Sequence, residues 1–171
     1  MKSESLIVKI GLGMLLVSIV GTIWHFVYGW SGNMKLLGYI FPVNESTWEH
    51  MKMAFFPMLF YAIYLRMEWK EEWPGVCFAT NAGILAGTWL IPIIFYSYQG
   101  ILGFGVQWMD IATFYIAVVL AYVATFHIIN RTGYRDWNIG TNVLRVLNGL
   151  MLIAFVVFTY YPPSLGIFSE P

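Results

Sequence analysis

Five ionisable residues stand out in an otherwise apolar chain: His25, Glu45, Glu49, His50 and Asp110. Imidazole and carboxylate groups together suit zinc or another divalent first-row ion. Two histidines and one or two acids around such an ion, with one position left for water, lower the pKa of that water and support hydrolysis. In this assignment His25, His50 and Asp110 are the metal ligands, and Glu45 or Glu49 is the general base. His50 follows the start of an apolar segment closely, so the helix dipole there disfavours its protonated form and leaves it free to ligate. Glu45 and Glu49 are spaced i,i+4, which puts them on one face of a continuous helix. No local metal signature such as H-E-x-x-H is present, so the assignment rests on residue type and topology.

Several of these residues also have structural readings. Acids are favoured in the first turn of a helix, which suits Glu49 and Asp110. Ser46-Thr47-Trp48-Glu49 has the S-x-x-E pattern of a capping box, and Lys52 stands i+3 from Glu49 for an ion pair. Glu45 lies outside the helix if Ser46 is its cap, so capping does not account for it. His25 sits inside an apolar segment, where either a ligand role or a hydrogen bond to a neighbouring helix would satisfy it. His127 falls near the C-terminal end of its segment, where the dipole stabilises a charged imidazole, and is read as structural.

The elements that must position these groups are membrane helices. The chain has 171 residues, 59% of them hydrophobic and 11% charged, with a mean hydropathy of +0.68. A water-soluble domain of this length needs more polar surface. A span needs about 20 mostly apolar residues, and five stretches qualify: residues 6–28, 46–65, 76–98, 110–129 and 141–161. The expected fold is therefore all-α, a single integral membrane bundle of five transmembrane helices over residues 1–171. The connections are short, and the first stretch is read as a retained helix, because it is too long for a signal peptide and no cleavage site follows. Pro57 and Pro92 predict kinks, and Gly83 with Gly87 predicts a close helix contact. The lone Cys77 excludes an internal disulfide framework and a thiolate metal cluster, and the net charge of zero argues against nucleic acid as a partner.

Orientation follows from the basic residues. With five spans, Lys2, Lys9, Arg66, Lys70, Arg131, Arg135 and Arg145 share one side, and only Lys35 and Lys52 fall on the other. This predicts a cytoplasmic N-terminus and an outside C-terminus. Trp30, Trp48 and Trp108 would then mark the outer interface, and Trp69, Trp73 and Trp137 the inner one. His25 stands five residues before Trp30, about 7 Å deeper at 1.5 Å per residue. The candidate residues thus converge on the outer ends of the first, second and fourth helices.

Three stretches carry a resemblance: His25-Phe26-x-Tyr28-x-Trp30-Ser31-Gly32, Pro42-Val43-Asn44-Glu45-Ser46-Thr47-Trp48-Glu49-His50, and Asp110-Ile111-x-Thr113-Phe114-Tyr115. With them nearly the whole chain resembles a family of small bacterial multi-pass membrane proteins known only as a domain of unknown function. The resemblance implies a bacterial-type plasma (inner) membrane protein and implies no activity. The membrane hydrolases that resemble alkaline ceramidases have seven spans and a paired His-x-x-x-His, which this chain lacks, so their function is not carried over. Three expectations remain. One is a divalent-metal site acting on a lipid or small amphiphile. Another is a small-solute or ion transporter or channel with the same residues as its outer vestibule. The third is a structural subunit of a larger membrane complex.

Overall fold

The computed structural model describes residues 2–69, 73, 75–131 and 138–170. Among these residues the chain is all-helical. Five long helices, α1 (Lys2–Trp30), α3 (Thr47–Trp69), α4 (Val76–Leu102), α5 (Gln107–Arg131) and α6 (Asn138–Phe158), are joined by a one-turn helix α2 (Lys35–Gly38) and short connections. A 3-10 turn, Gly166–Phe168, follows α6. Lys70, Arg135 and Trp137, which entered the orientation argument, lie outside the described residues.

Two of the long helices, α1 and α4, end where the backbone turns left-handed. After α1, Gly32 and Asn33 both take positive φ (73° and 61°), and the Asn33 N–H returns to the Tyr28 carbonyl at 3.2 Å. This left-handed exit satisfies carbonyls that the helix end would otherwise leave open. After α4, Gly103 at φ 78° does the same, donating to the Gln99 carbonyl at 2.7 Å. The two exits face the same end of the bundle as the starts of α3 and α5.

Among the described residues, four helices are long and apolar enough to cross a membrane: Ser5–Trp30, Val76–Leu102, Gln107–Arg131 and Asn138–Phe158. The helix α3, expected as the second span, is 23 residues long and contains Pro57, but it is less apolar than the other four. The physical reason lies in its position. It packs against α1, α4 and α5, and almost every residue from Ser46 to Met58 is buried. Its polar side chains Thr47, Glu49 and Lys52 are sheathed by protein, whereas α1, α5 and α6 turn broad faces of Ile, Leu and Val outward.

Close approach is built in at small residues. A Cβ on Gly21 of α1 would stand 2.6 Å from the Met53 carbonyl of α3, so that helix pair comes together only because the position is glycine. Gly83 and Gly87 of α4 likewise leave room for Thr125 and Ala121 of α5, and Met58 of α3, as small-residue packing between membrane helices requires. Asn148 of α6 donates to both the side chain (3.2 Å) and the backbone (3.1 Å) carbonyl of Asn81 on α4. Trp48 departs from its expected place at an interface. It is buried against Phe155, Phe158 and Phe168, because the segment after α6 folds back over the start of α3. Trp73 is buried as well.

Candidate metal centre

The start of α3 sorts its two glutamates. Helix α3 begins at Thr47, so Glu45 stands in the connection before it and the i,i+4 rule does not apply to Glu45 and Glu49. The turn is closed locally: the Ser46 N–H donates to Asn44 Oδ1 at 3.0 Å, and the Glu49 N–H reaches Ser46 Oγ at 3.4 Å. Half of the capping box therefore forms. Its other half does not, because the Glu49 carboxylate turns away from Ser46.

Glu45 turns to the two histidines. Its Oε1 lies 3.6 Å from His25 Nε2 and its Oε2 lies 3.4 Å from His50 Nε2. The two rings are nearly parallel, with centroids 5.3 Å apart and planes 27° from one another. One ligand atom from each of the three residues falls within 4.8 Å of the others. A tetrahedral ion with bonds of about 2.0–2.1 Å sets its ligands roughly 3.4 Å apart, so a small contraction would bring this trio to coordination distance.

The hydrogen bonding of His50 decides which nitrogen is available. Its Nδ1 stands 2.9 Å from the Ser46 carbonyl. A carbonyl only accepts, so Nδ1 carries the proton, and in the neutral ring the Nε2 lone pair is directed at Glu45. A backbone carbonyl that fixes the tautomer and ring orientation in this way is the usual outer support of a metal-ligating histidine. A lone pair facing a carboxylate is repulsive, and only a proton or a cation between them makes the contact favourable. His25 Nδ1 is buried with no hydrogen-bond partner among the described residues, and its Nε2 has only the 3.6 Å contact with Glu45 there. His50, followed by His25, holds the Glu45 carboxyl below the usual carboxylate range, against the opposing effect of partial burial.

The trio borders a cleft of about 450 Å³ between α1, α3, α4 and α5. Asp110 lines the same cleft but is not one of the three clustered residues. It accepts a hydrogen bond from the Tyr98 hydroxyl, across the Gly-rich turn between α4 and α5. Thus His25, Glu45 and His50 are brought together, and Asp110 shares their cleft at the start of α5.

Glu49 belongs to a separate network on the far side of α3. It is buried, as is Lys52. Lys52 Nζ donates to Glu49 Oε2 (2.7 Å), the Gly38 carbonyl (2.8 Å) and Thr159 Oγ1 (2.6 Å). Glu49 Oε2 also accepts the Val43 N–H at 2.9 Å, and Oε1 lies 3.2 Å from Thr159 Oγ1. His127 is exposed near the opposite end of α5, with its ring beside Phe126. Tyr98 and Thr159 escape a reading of the chain alone. No spacing links them to Asp110 or Glu49; the pairings exist only once the helices are packed. Lys52 did carry a signal, since a lysine one turn into an apolar stretch and i+3 from an acid predicts the observed ion pair, though not its burial.

No curated protein and no solved structure matches the chain. Over residues 2–171 it matches a family of unknown function, DUF6512, and the protein belongs to that family.

Proposed function

We propose that His25, Glu45 and His50 bind one divalent first-row cation, zinc being the best fit, and that the protein is a membrane-embedded metal-dependent hydrolase. The observation that carries this reading is the convergence of two imidazole nitrogens on the two oxygens of one carboxylate, with His50 oriented by a backbone carbonyl. Three protein ligands with a fourth position left to water is the composition of catalytic rather than structural zinc sites. The cleft supplies that open side. Such an ion polarises a carbonyl and makes water nucleophilic near neutral pH. Water adds to the acyl carbon, its proton passes to the Asp110 carboxylate on the same cleft, and Asp110 returns it to the leaving group. Compared with the assignment from residue types alone, Glu45 and Asp110 exchange roles, and Glu49 becomes structural.

The same reading takes all five long helices as spans with the N-terminus cytoplasmic. At 1.5 Å per residue α3 is about 34 Å long, enough for a hydrocarbon core of about 30 Å. Its ionisable groups near the cleft end are satisfied by protein rather than exposed to lipid. The basic residues Lys9, Arg66, Arg131 and Arg145 gather at the end of the bundle opposite the cleft, which supports a cleft on the outer side. The resemblance to small bacterial multi-pass proteins supports a plasma membrane address.

Elemental analysis of purified protein tests the metal. One equivalent of zinc or a neighbouring ion in the wild type, lost in His25→Ala and His50→Ala, is the expected result. Metal-free wild type that also takes up none on titration refutes the hydrolase, and solute uptake by proteoliposomes then tests the cleft as a transport vestibule.

A further inference from the structure

We infer that the cleft takes a compact amphiphile: a neutral acyl compound of roughly fifteen non-hydrogen atoms, with its carbonyl at the His25–Glu45–His50 end and its apolar part below. This rests on the metal reading and names the substrate class for that site; the apolar part of the inference stands on the cavity alone.

Size is the first argument. A volume of about 450 Å³ is in the lower part of the range for small-molecule pockets. At the roughly 30 Å³ that each water-sized group fills in a liquid, it holds roughly fifteen such groups. That is far short of a two-chain phospholipid. Length agrees, since the lining residues of α5 run from Gln107 to Tyr115, an axial rise of about 12 Å.

Distribution is the second argument. His25, Glu45, Thr47, Gln107 and Asp110 stand near the helix ends and form a polar rim. Met53, Ile91, Phe95 and Phe114 stand further along the same helices and form an apolar floor. Thr22 and Tyr115, also on the wall, face each other at 2.9 Å and so satisfy one another rather than a ligand. The occupant is therefore polar at one end only.

Charge is the third. Among the described residues no lysine or arginine lines the cleft, while two carboxylates do. Phosphate and sulfate headgroups are normally held by arginine or lysine, and here they would meet Asp110 instead. A carbonyl head with a hydrogen-bond donor suits the rim better, because an ion takes the oxygen and the Asp110 oxygen not engaged by Tyr98 accepts the donor.

Straight-chain hydroxamates of two to sixteen carbons, titrated into zinc-loaded protein in nanodiscs, read both ends of the cleft. The n-alkanols, titrated in parallel into chelator-treated protein, read the apolar floor without metal. Affinity is expected to rise roughly threefold to fourfold per methylene in both series, to stop near ten carbons, and to stop earlier in Ile91→Phe. A rise that continues to sixteen carbons shows a cleft open to acyl chains and overturns the size limit. No dependence on length in either series overturns the cleft as a ligand site. Hydroxamates that bind no better than alkanols refute the metal reading, and the alkanol cut-off then still decides whether the occupant is compact. Alkyl phosphates that bind more tightly than hydroxamates of equal length overturn the neutral head.

Discussion

Glu45 and Glu49 are four residues apart and could hardly be treated more differently. Around Glu49 the charges are closed. The Lys52 ammonium has three donors and three acceptors within 2.8 Å, and each Glu49 oxygen has a partner. Around Glu45 the balance is open: one exposed carboxylate faces two imidazole nitrogens, one of which carries a lone pair, and among the described residues no lysine or arginine pairs with it. Burial of an ion pair is tolerated only when hydrogen bonds satisfy what is left over, and the first network meets that condition. The second does not fall under that condition, because 62% of the Glu45 side chain is exposed. The buried pair also holds the connection that carries Glu45, through Gly38 and Val43, so the closed network frames the open one.

The largest test of this contrast is to break the closed side. Lys52→Met leaves Glu49 buried without its counter-charge and should cost about 3–5 kcal/mol of stability, measured by denaturant or SDS titration in micelles. The double variant Glu49→Leu with Lys52→Met should recover most of it, since an apolar pair of similar volume is often as stable as a buried ion pair. Equal losses in the single and double variants would show that the pair is intrinsically stabilising.

The open side responds to metal instead. Zinc at a hundred times its dissociation constant should stabilise the wild type by about 2.7 kcal/mol, seen as a rise in melting temperature that chelator reverses. His25→Ala and His50→Ala should show no such rise, and Lys52→Arg should keep it.

Protons compete for the same lone pairs. Both imidazoles must be neutral to ligate an ion, so zinc binding should weaken as pH falls, with a slope approaching about two protons per ion. Glu45 contributes nothing to that change. Its carboxyl is held below the usual carboxylate range, mainly by His50, so it stays ionised throughout the imidazole range. Zinc titrations at several pH values check the slope, and a loss of binding confined to acid below the imidazole range would assign the transition to the carboxylate.

The smallest effect is expected from Glu45→Gln in the absence of metal. An exposed ion pair contributes about 0–1 kcal/mol, so stability should barely change, in contrast to Lys52→Met. A loss comparable to the Lys52 variant would mean that Glu45 is structural after all.

Much of this site is legible in the residues. His25 and His50 share one end of the bundle because each lies a few residues from the end of a long apolar stretch, and consecutive helices reverse direction. Asp110 is assigned to that same end for the same reason. Glu45 stands out because capping leaves it unexplained. The placement of Glu49 with Glu45 fails because it assumes a continuous helix, whereas the Asn44–Ser46 turn delays the start of α3 to Thr47. Trp48 fails as an interface marker because the segment after α6 covers it.

What the order of residues determines by itself is therefore the one-dimensional part: helices from apolar length, and the end of the bundle at which each ionisable group falls. The direction in which each side chain points was decided only by the tertiary structure. Helix rotation and inward burial depend on contacts between segments more than a hundred residues apart, such as Lys52 with Thr159. The difference between a closed charge network and an open one belongs to that second level, since it is set by where the neighbouring helices supply or withhold a counter-charge.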